Sequence, residues 1–309
     1  MISVAPAHIK GKDMTISIGN APCSWGVEWA DDPRNPEWRR VLAECKQAGF
    51  NGIELGPVGF MPEDPVELSE ALSEHELTLI GGVVFRAFHD PAKWEDVQDG
   101  ALRTCKALVA HGAKHLVLID SISPRRAPTA GRAGEAEQMD AAEWAAYVDR
   151  FRSIAKMGTE EYGLDVSVHA HAAGFMDFEP ELDRLLNEVD ESILKICFDT
   201  GHHSYAGFDP VAFMKRNMSR ISYMHFKDID PVVKAAAVAN RTGFYDACAQ
   251  GIFCKLGLGD VDFPAVRQVL LDSGFEGWCT VEQDCDPAGK TSPLDDNTHN
   301  GSYLHSIGF

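Results

Sequence analysis

Eight short apolar segments alternate with longer amphipathic segments along this chain, and that alternation most constrains how it can fold. Each short segment is almost continuously hydrophobic, which is typical of strands covered on both faces. The alternation therefore predicts buried parallel strands rather than half-exposed antiparallel ones. The predicted strands are residues 15–19, 52–55, 78–85, 115–119, 165–169, 193–198, 221–226 and 277–281.

The longer segments predict helices with recognisable ends. Residues 36–48 begin with a proline and are followed by Gly49, which suits a helix that starts at Pro36 and ends before a left-handed turn. Glycines occupy the equivalent place after several other segments. The predicted helices are residues 36–48, 65–75, 91–111, 141–162, 179–189, 210–218 and 263–273.

About eight strand–helix repeats indicate parallel βαβ units, which fit an α/β fold consisting of a single (β/α)8 TIM barrel. We expect one domain over residues 1–309, with a core at about 15–287. A doubly wound open sheet is the alternative, weakened because no GxGxxG motif follows the first strand. The tail from Asp284 is polar and predicted to be irregular.

Two connections between predicted elements are unusually long, residues 121–140 and 228–259. Both follow strands, so in a barrel both are βα loops at the C-terminal face, where barrel enzymes form their active sites. Each is either a lid or substrate loop, or a variable surface insertion.

Composition excludes several classes of function. Lys and Arg number 28 against 47 Asp and Glu, a net charge of −19 that disfavours nucleic acid and anionic membrane surfaces as partners. No apolar segment approaches the roughly 20 residues of a membrane span, and residues 1–14 lack the apolar region of a secretory signal. Eight scattered cysteines without a CxxC pair indicate a reducing compartment. We therefore expect a cytoplasmic protein.

Four consecutive predicted strands end in side chains that bind metals: His169, Asp199, His225 and Glu282. Consecutive parallel strands are neighbours in a barrel, so these ends should converge on one arc of its rim. Placing charged groups at the end of an apolar strand is costly unless they are paired or ligated. Two imidazoles and two carboxylates suit Mn²⁺, Co²⁺, Fe²⁺ or Zn²⁺ better than Ca²⁺. The pattern predicts a divalent metal site.

Three further residues beside this set are candidate acid–base or substrate-binding groups. His171 shares a strand face with His169, Lys227 shares one with His225, and His202 lies about one turn beyond Asp199. Their alternative role is hydrogen bonding within loops.

Two earlier residues face the same end of the predicted barrel. Glu54, at the end of the second strand, either hydrogen-bonds substrate hydroxyls or pairs with a barrel arginine. Trp25, after the first strand, either forms an apolar wall of a substrate pocket or packs in the core. Cys23 as a nucleophile is unsupported, because the sequence fixes no base partner near it.

These motifs resemble the xylose-isomerase-like barrel family of sugar isomerases, epimerases and endonuclease-IV-like enzymes. Within that family the chain is most similar to the inosose (2-keto-myo-inositol) dehydratases, over about residues 15–287. The family cues are Gly52-Ile53-Glu54-Leu55, Phe198-Asp199-Thr200-Gly201-His202, His225-Phe226-Lys227-Asp228 and Val281-Glu282. The dehydratase cues are His169-Ala170-His171, Gly251-Ile252-Phe253, residues 257–263, and the run from Glu282 to Asp286-Pro287.

The resemblance implies roles for individual residues. The family's metal would lie on Asp199, His225 and Glu282, with His169 in place of the usual first glutamate. His202 matches a position that contacts substrate in relatives, and Ala170 interrupts the expected histidine cluster. The implied ion is Mn²⁺ or Co²⁺, with Zn²⁺, Fe²⁺ and Mg²⁺ as alternatives.

The implied activity is a metal-dependent lyase that removes water from a small keto-polyol, such as 2-keto-myo-inositol, through an enolate. A keto-sugar isomerase or epimerase is the runner-up, because it would use the same intermediate. A nuclease would need a basic groove, for which Arg125, Arg126 and Arg132 are the candidate patch. A non-catalytic sugar-binding barrel is a fourth alternative. By analogy with such barrels we expect a homo-oligomer, a dimer or tetramer.

Overall fold

Eight parallel strands close into a barrel in the computed structural model, which describes residues 16–285 and 292–309. The barrel strands are β1 (Ile16–Asn20), β2 (Gly52–Glu54), β3 (Thr78–Arg86), β4 (His115–Asp120), β5 (Asp165–His169), β6 (Lys195–Asp199), β7 (Ile221–Phe226) and β10 (Gly277–Val281). Between β7 and β10 the chain forms two further strands, β8 (Asp228–Ile229) and β9 (Phe253–Cys254). The short strands β8 and β9 form a separate antiparallel ribbon. Because β10 pairs with both β7 and β1, the sheet is closed and the open-sheet alternative is wrong.

Helices connect the strands, and most of them cover the outside of the barrel. They are α1 (Trp38–Gln47), α2 (Pro65–Glu74), α3 (Trp94–Ala110), α4 (Ala141–Lys156), α5 (Glu179–Glu188), α6 (Thr200–Tyr205), α7 (Pro210–Asn217), α8 (Pro231–Ala239), α9 (Phe244–Ala249), α10 (Phe263–Ser273) and α11 (Pro293–Ser306). Short 3₁₀ turns span Pro22–Trp25, Pro91–Lys93 and Ala127–Thr129, and a π-helical turn spans Met157–Glu161.

The helix starts show why these segments are helical. Asp64, Asp209 and Asp230 each precede a proline, and each carboxylate accepts hydrogen bonds from N–H groups of the first helical turn. Such a cap typically contributes about 1 kcal/mol. None of the helices in the described residues has the length and apolarity that crossing a bilayer would require.

The predicted irregular tail is wrong for residues 293–306, which form α11, the helix that completes the ring around the barrel. Its sequence is mostly polar, so no complete apolar stripe marks it as a helix. Two kinds of contact hold it: Leu294, Tyr303 and Leu304 pack against the main core, and buried asparagines form hydrogen bonds, with Asn297 accepting from Asn20 at 2.8 Å and Asn300 donating to Gln283 at 2.9 Å. The Asp286-Pro287 pair lies outside the described residues.

The core has two layers that matter for the site. The main cluster fills the space between strands and helices, and it includes free thiols at Cys45, Cys105 and Cys279. A smaller cluster, with Val117 and Tyr223 at its centre, fills the inside of the barrel. That inner cluster closes the barrel below the C-terminal rim.

The two long connections pack against each other above the C-terminal end of the barrel. Ala130 of the first connection belongs to one apolar cluster with Ile229, Phe244 and Phe253 of the second. The Arg132 guanidinium also donates to the Thr242 carbonyl at 3.3 Å. The two connections therefore form one cap over the rim.

A buried ion pair fixes this cap to the barrel. Arg126, 1% exposed, donates two hydrogen bonds to Glu181, at 2.8 and 3.1 Å. The same carboxylate accepts the N–H groups of Asp177 and Phe178, both at 3.0 Å. The pair thus ties residues 121–140 to the segment that follows β5.

The arginines that could have formed a nucleic-acid patch are all paired with glutamates. Arg125 contacts Glu137, Arg126 contacts Glu181, and Arg132 contacts Glu135. Their positive charge is therefore neutralised locally, and the nuclease alternative loses the patch on which it depended.

Candidate metal centre and active-site pocket

The four predicted ligand residues meet at one point on the C-terminal rim. Each of His169, Asp199, His225 and Glu282 offers a ligand atom, and these atoms all lie within 4.8 Å of one another. The strand register explains the convergence, because Asp199 is paired with His225 across β6 and β7. All four residues are buried, with exposures between 0% and 7%. We call this set the four-ligand centre.

Several atoms of the four-ligand centre make no well-aligned hydrogen bond with the described residues, although Nε2 of His169 and Oδ2 of Asp199 lie 3.4 Å apart. They are both ring nitrogens of His169, Oδ2 of Asp199 and Nδ1 of His225. Leaving a buried polar atom unpaired costs about 1–3 kcal/mol, so a cluster of them indicates a missing partner. Two imidazole nitrogens and two carboxylates fit a divalent cation. That these residues bind a metal stays a prediction.

Glu54 forms a hydrogen bond to His225 of the four-ligand centre. Its Oε1 accepts hydrogen bonds from the Tyr223 hydroxyl at 2.8 Å and from Nε2 of His225 at 2.9 Å. The predicted pairing of Glu54 with an arginine is therefore wrong, since its ionic partner is His225. Because Nε2 donates to Glu54, the Nδ1 atom of His225 is left to face Glu282, at 3.2 Å. This carboxylate–histidine arrangement is typical of metal centres.

The charges around His225 also favour a cation at the four-ligand centre. Burial alone would lower its pKa, but Cys197 and the carboxylates of Glu282 and Glu54 raise the pKa of His225 well above its ordinary value. The surroundings thus favour positive charge at this point, which a metal cation would supply.

Replacing Glu54 by glutamine should weaken metal binding by roughly 10–100-fold, the usual effect of losing an outer carboxylate partner. The amide still accepts a hydrogen bond from His225 but no longer carries the charge that makes the imidazole a better ligand. A competition titration against a chromogenic chelator measures the affinity. The exposed Glu67→Gln serves as control, and an unchanged affinity in Glu54→Gln would remove this role.

A pocket of about 340 Å³ opens beside the four-ligand centre. Its volume lies in the range of small-molecule sites. One wall is apolar and consists of Val83, Phe85, Ile119, Ile122 and Phe244. The lining also includes charged groups: Glu28, Asp32, Arg34, Glu54, Lys227, Glu282 and Asp284. The pocket therefore suits a small molecule with both polar and apolar faces.

Trp25 is not part of this pocket lining. Its side chain is 2% exposed, belongs to the main core and donates from Nε1 to Glu44 at 2.8 Å. The 3₁₀ turn at Pro22–Trp25 directs it inward. Of the two interpretations, the structure supports packing, and the predicted substrate contact of Trp25 is wrong.

His171 lines the pocket and is arranged as a proton acceptor. Its Nδ1 lies 2.8 Å from the Ala172 carbonyl oxygen, which can only accept, so Nδ1 carries the proton and Nε2 keeps its lone pair. Burial, together with the neighbouring His169 and Lys227, lowers the pKa of His171 to about 3. The ring is therefore neutral near pH 7.

His202 lies behind His171 rather than in the pocket. Its ring centre is 4.0 Å from that of His171, and its Nδ1 accepts the Ala172 N–H at 3.2 Å. Burial and the nearby His171 and Lys227 lower the pKa of His202 well below its ordinary value. His202 is 1% exposed and is absent from the described pocket lining, so the geometry gives no direct substrate contact.

Lys227 lines the pocket with its ammonium among acidic groups. The Nζ atom donates to Asp284 at 2.7 Å and lies 3.3 Å from Glu282 and 4.0 Å from Asp199. Although burial opposes the charge, Asp284, Glu282 and Asp199 raise the pKa of Lys227 well above its ordinary value. The ammonium thus remains charged.

Asp284 is a site residue that the sequence interpretation missed, because it was assigned to the polar tail. The available signal was its spacing: Asp284 follows Glu282 by two positions, as His171 follows His169 and Lys227 follows His225. Cys23 also lines the pocket, but burial and the carboxylates of Glu282 and Asp284 raise the pKa of its thiol well above the ordinary value. The structure therefore provides no activation of Cys23 as a nucleophile.

The fold and the site together define a TIM-barrel protein with a candidate divalent-metal centre at its C-terminal rim. The sequence profile of the xylose isomerase-like TIM barrel family matches residues 42–302, and the chain belongs to that family. This confirms the resemblance inferred from the sequence motifs.

Individual relatives agree with this assignment. The chain is 30% identical to the rhizopine catabolism protein MocC of Rhizobium meliloti, over 89% of this chain and 83% of that protein. It is 28% identical to an inosose dehydratase of Geobacillus kaustophilus, over 88% of each chain. Among solved structures, a zinc-bound IolI protein superposes with a TM-score of 0.71 at 14% identity, covering 94% of this chain and 97% of that one. The last comparison shows the fold.

Proposed function

We propose that this protein is a metal-dependent hydro-lyase that removes water from a small keto-polyol such as 2-keto-myo-inositol. The observation that carries the proposal is the adjacency of two features: the four-ligand centre, with its ligand atoms within 4.8 Å, and a pocket lined by His171 and Lys227. The similarity to an inosose dehydratase over most of both chains supports this substrate class.

His169, Asp199, His225 and Glu282 would hold the ion, for which Mn²⁺ or Co²⁺ is our first choice. When bound, a divalent ion supplies Lewis-acid stabilisation of the negative charge that develops on the substrate's carbonyl oxygen. The zinc in the IolI structure supports a divalent ion at a barrel of this family.

His171 would act as the base. Dehydration next to a ketone begins with removal of a proton from the α-carbon, and Nε2 of a neutral His171 can accept that proton. General-base help is typically worth 10²–10⁴-fold. With a pKa of about 3, His171 is a weak base in the free protein, and the negative charge that develops on the substrate would strengthen it by stabilising the imidazolium. The resulting imidazolium can return the proton to the departing β-hydroxyl when both groups lie on the same face of the ring. The carbonyl reforms and a carbon–carbon double bond appears as the C–O bond to the β-hydroxyl breaks, so the products are water and an α-hydroxy-enone, which is the enol form of a diketone.

Lys227 would stabilise the enolate from the other side. Its permanently charged ammonium lies on the pocket wall and is held there by Asp284, at 2.7 Å. A preorganised positive charge is most effective where negative charge develops during the reaction. His202 contacts both His171 and Lys227, so we assign it to positioning these two groups.

The apolar wall would cover the remaining face of the substrate. Phe85 and Phe244 can pack against the C–H face of a ring while excluding water from the reacting carbon. A keto-sugar isomerase or epimerase is the alternative, because the same base and the same cation would form the same enolate.

A turnover screen tests the proposal. The metal-depleted protein, reconstituted with Mn²⁺ or Co²⁺, is incubated with keto-inositols and with ketohexoses, and products are identified by mass spectrometry. We expect keto-inositols to lose the mass of one water, and only after metal is restored. Products of unchanged mass would support the isomerase instead, and failure to convert any of these compounds would contradict both.

A further inference from the structure

We propose that the ammonium of Lys227 occupies a second cation site beside the four-ligand centre, and that removing this side chain opens the site to a second divalent ion. The inference extends the proposed function, since it assumes that the four-ligand centre binds the first ion.

The surroundings of the Lys227 ammonium are those of a metal site. Three carboxylate oxygens lie around Nζ: Oδ2 of Asp284 at 2.7 Å, Oε2 of Glu282 at 3.3 Å and Oδ2 of Asp199 at 4.0 Å. The lysine is 1% exposed, so this point is a buried part of the protein. Carboxylate oxygens of this kind suit a divalent ion such as Mn²⁺.

The two positions share a ligand. Oε2 of Glu282 lies 3.2 Å from Nδ1 of His225 and 3.3 Å from Nζ of Lys227. The Glu282 carboxylate therefore belongs to the four-ligand centre and also contacts the ammonium. In proteins with two catalytic metal ions the ions lie about 3.5–4 Å apart, which is the spacing that a shared carboxylate produces.

Further ligand-type atoms lie close to Asp284. His171, His202 and Asp284 offer atoms within 4.8 Å of one another, and so do Cys23, Glu282 and Asp284. Both groups contain Asp284, the closest partner of the lysine. An ion replacing the ammonium would thus find enough donors for an ordinary coordination shell.

The charges explain why the lysine and a second divalent ion exclude each other. Four carboxylates, those of Glu54, Asp199, Glu282 and Asp284, lie around the two positions, and one divalent ion with the ammonium supplies three positive charges. A second divalent ion cannot share its position with the ammonium, because the two cations would be in direct contact in a buried region, which is strongly unfavourable. Without the ammonium, two negative charges are left uncompensated, which a second divalent ion balances.

Metal stoichiometry tests this inference without relying on activity. The wild type, Lys227→Ala and the double variant Lys227→Ala/Asp284→Asn are saturated with Mn²⁺, dialysed and analysed for metal per chain. We expect about one ion in the wild type, about two in Lys227→Ala and about one in the double variant. Electron paramagnetic resonance should show spin coupling between the two Mn²⁺ ions, which separate distant sites would not give. Lys234→Ala, which removes a partly buried lysine outside the site, should bind as the wild type does.

The outcomes separate the two proposals. A Lys227→Ala protein with no more metal than the wild type, or with two uncoupled ions, overturns the second site. A wild type without metal contradicts the metal-dependent function, whereas an additional ion in Lys227→Ala would still support the cation site. Should Lys227→Ala not fold, as judged by circular dichroism, Lys227→Gln provides the same test, because its amide keeps a hydrogen bond to Asp284 without the charge.

Discussion

Replacing Asp199 by asparagine should abolish metal binding and lower kcat/KM by roughly 10³-fold or more. Losing the Lewis acid costs several kcal/mol of transition-state stabilisation, and about 4 kcal/mol corresponds to a 10³-fold change in rate. Asparagine has nearly the same shape and remains a good helix cap, so it can still accept the His202 N–H that Asp199 accepts at 2.7 Å. The expected loss is therefore one of charge rather than of folding.

The measurement combines metal analysis of the purified variant with its turnover of keto-inositols. Asp209→Asn is a matched control, because Asp209 also caps a helix through its carboxylate but lies at the exposed start of α7. That variant should keep both metal and activity. If Asp199→Asn retained its metal and its rate, Asp199 would not be a ligand and the centre would need reassignment.

Replacing His171 by glutamine should lower kcat by about 10²–10⁴-fold while the metal content stays unchanged. Glutamine keeps a polar side chain of similar reach but offers no basic nitrogen near neutral pH. Exchange of the substrate's α-hydrogen with deuterated solvent should fall together with dehydration, because both require the same proton transfer. Steady-state kinetics and nuclear magnetic resonance measure the two rates.

His111→Gln, a substitution on the helical surface, controls for the general effect of losing an imidazole. Full turnover in His171→Gln would show that another group removes the proton. If dehydration were lost while hydrogen exchange stayed normal, His171 would instead be the acid that protonates the departing hydroxyl.

Much of the barrel follows from the apolar segments. Strands predicted at 115–119, 165–169, 221–226 and 277–281 match the observed ones to within one residue. Such runs are easily recognised because parallel strands are buried on both faces. The sequence does not predict the helix α11, because three of its four buried residues, Asp296, Asn297 and Asn300, are polar and its apolar stripe is therefore incomplete.

The candidate site was predictable where it depends on strand order. Consecutive strands in a barrel are neighbours, so His169, Asp199, His225 and Glu282 had to meet if the fold was right. Contacts that cross the barrel follow no such rule. The bond between Glu54 and His225 joins residues 171 positions apart, and only the closed structure reveals it.

The closing contacts of the barrel bear on how the chain acquires its shape during synthesis. Asn20 bonds to Asn297, 277 positions later, and β1 pairs with β10 along its whole length. Until the ribosome has released these distant partners, one edge of the first strand stays unpaired, and the pocket lacks Glu282. Contacts of such long range slow folding and leave open edges prone to aggregation. The nascent chain therefore keeps this edge open until its last strand has emerged.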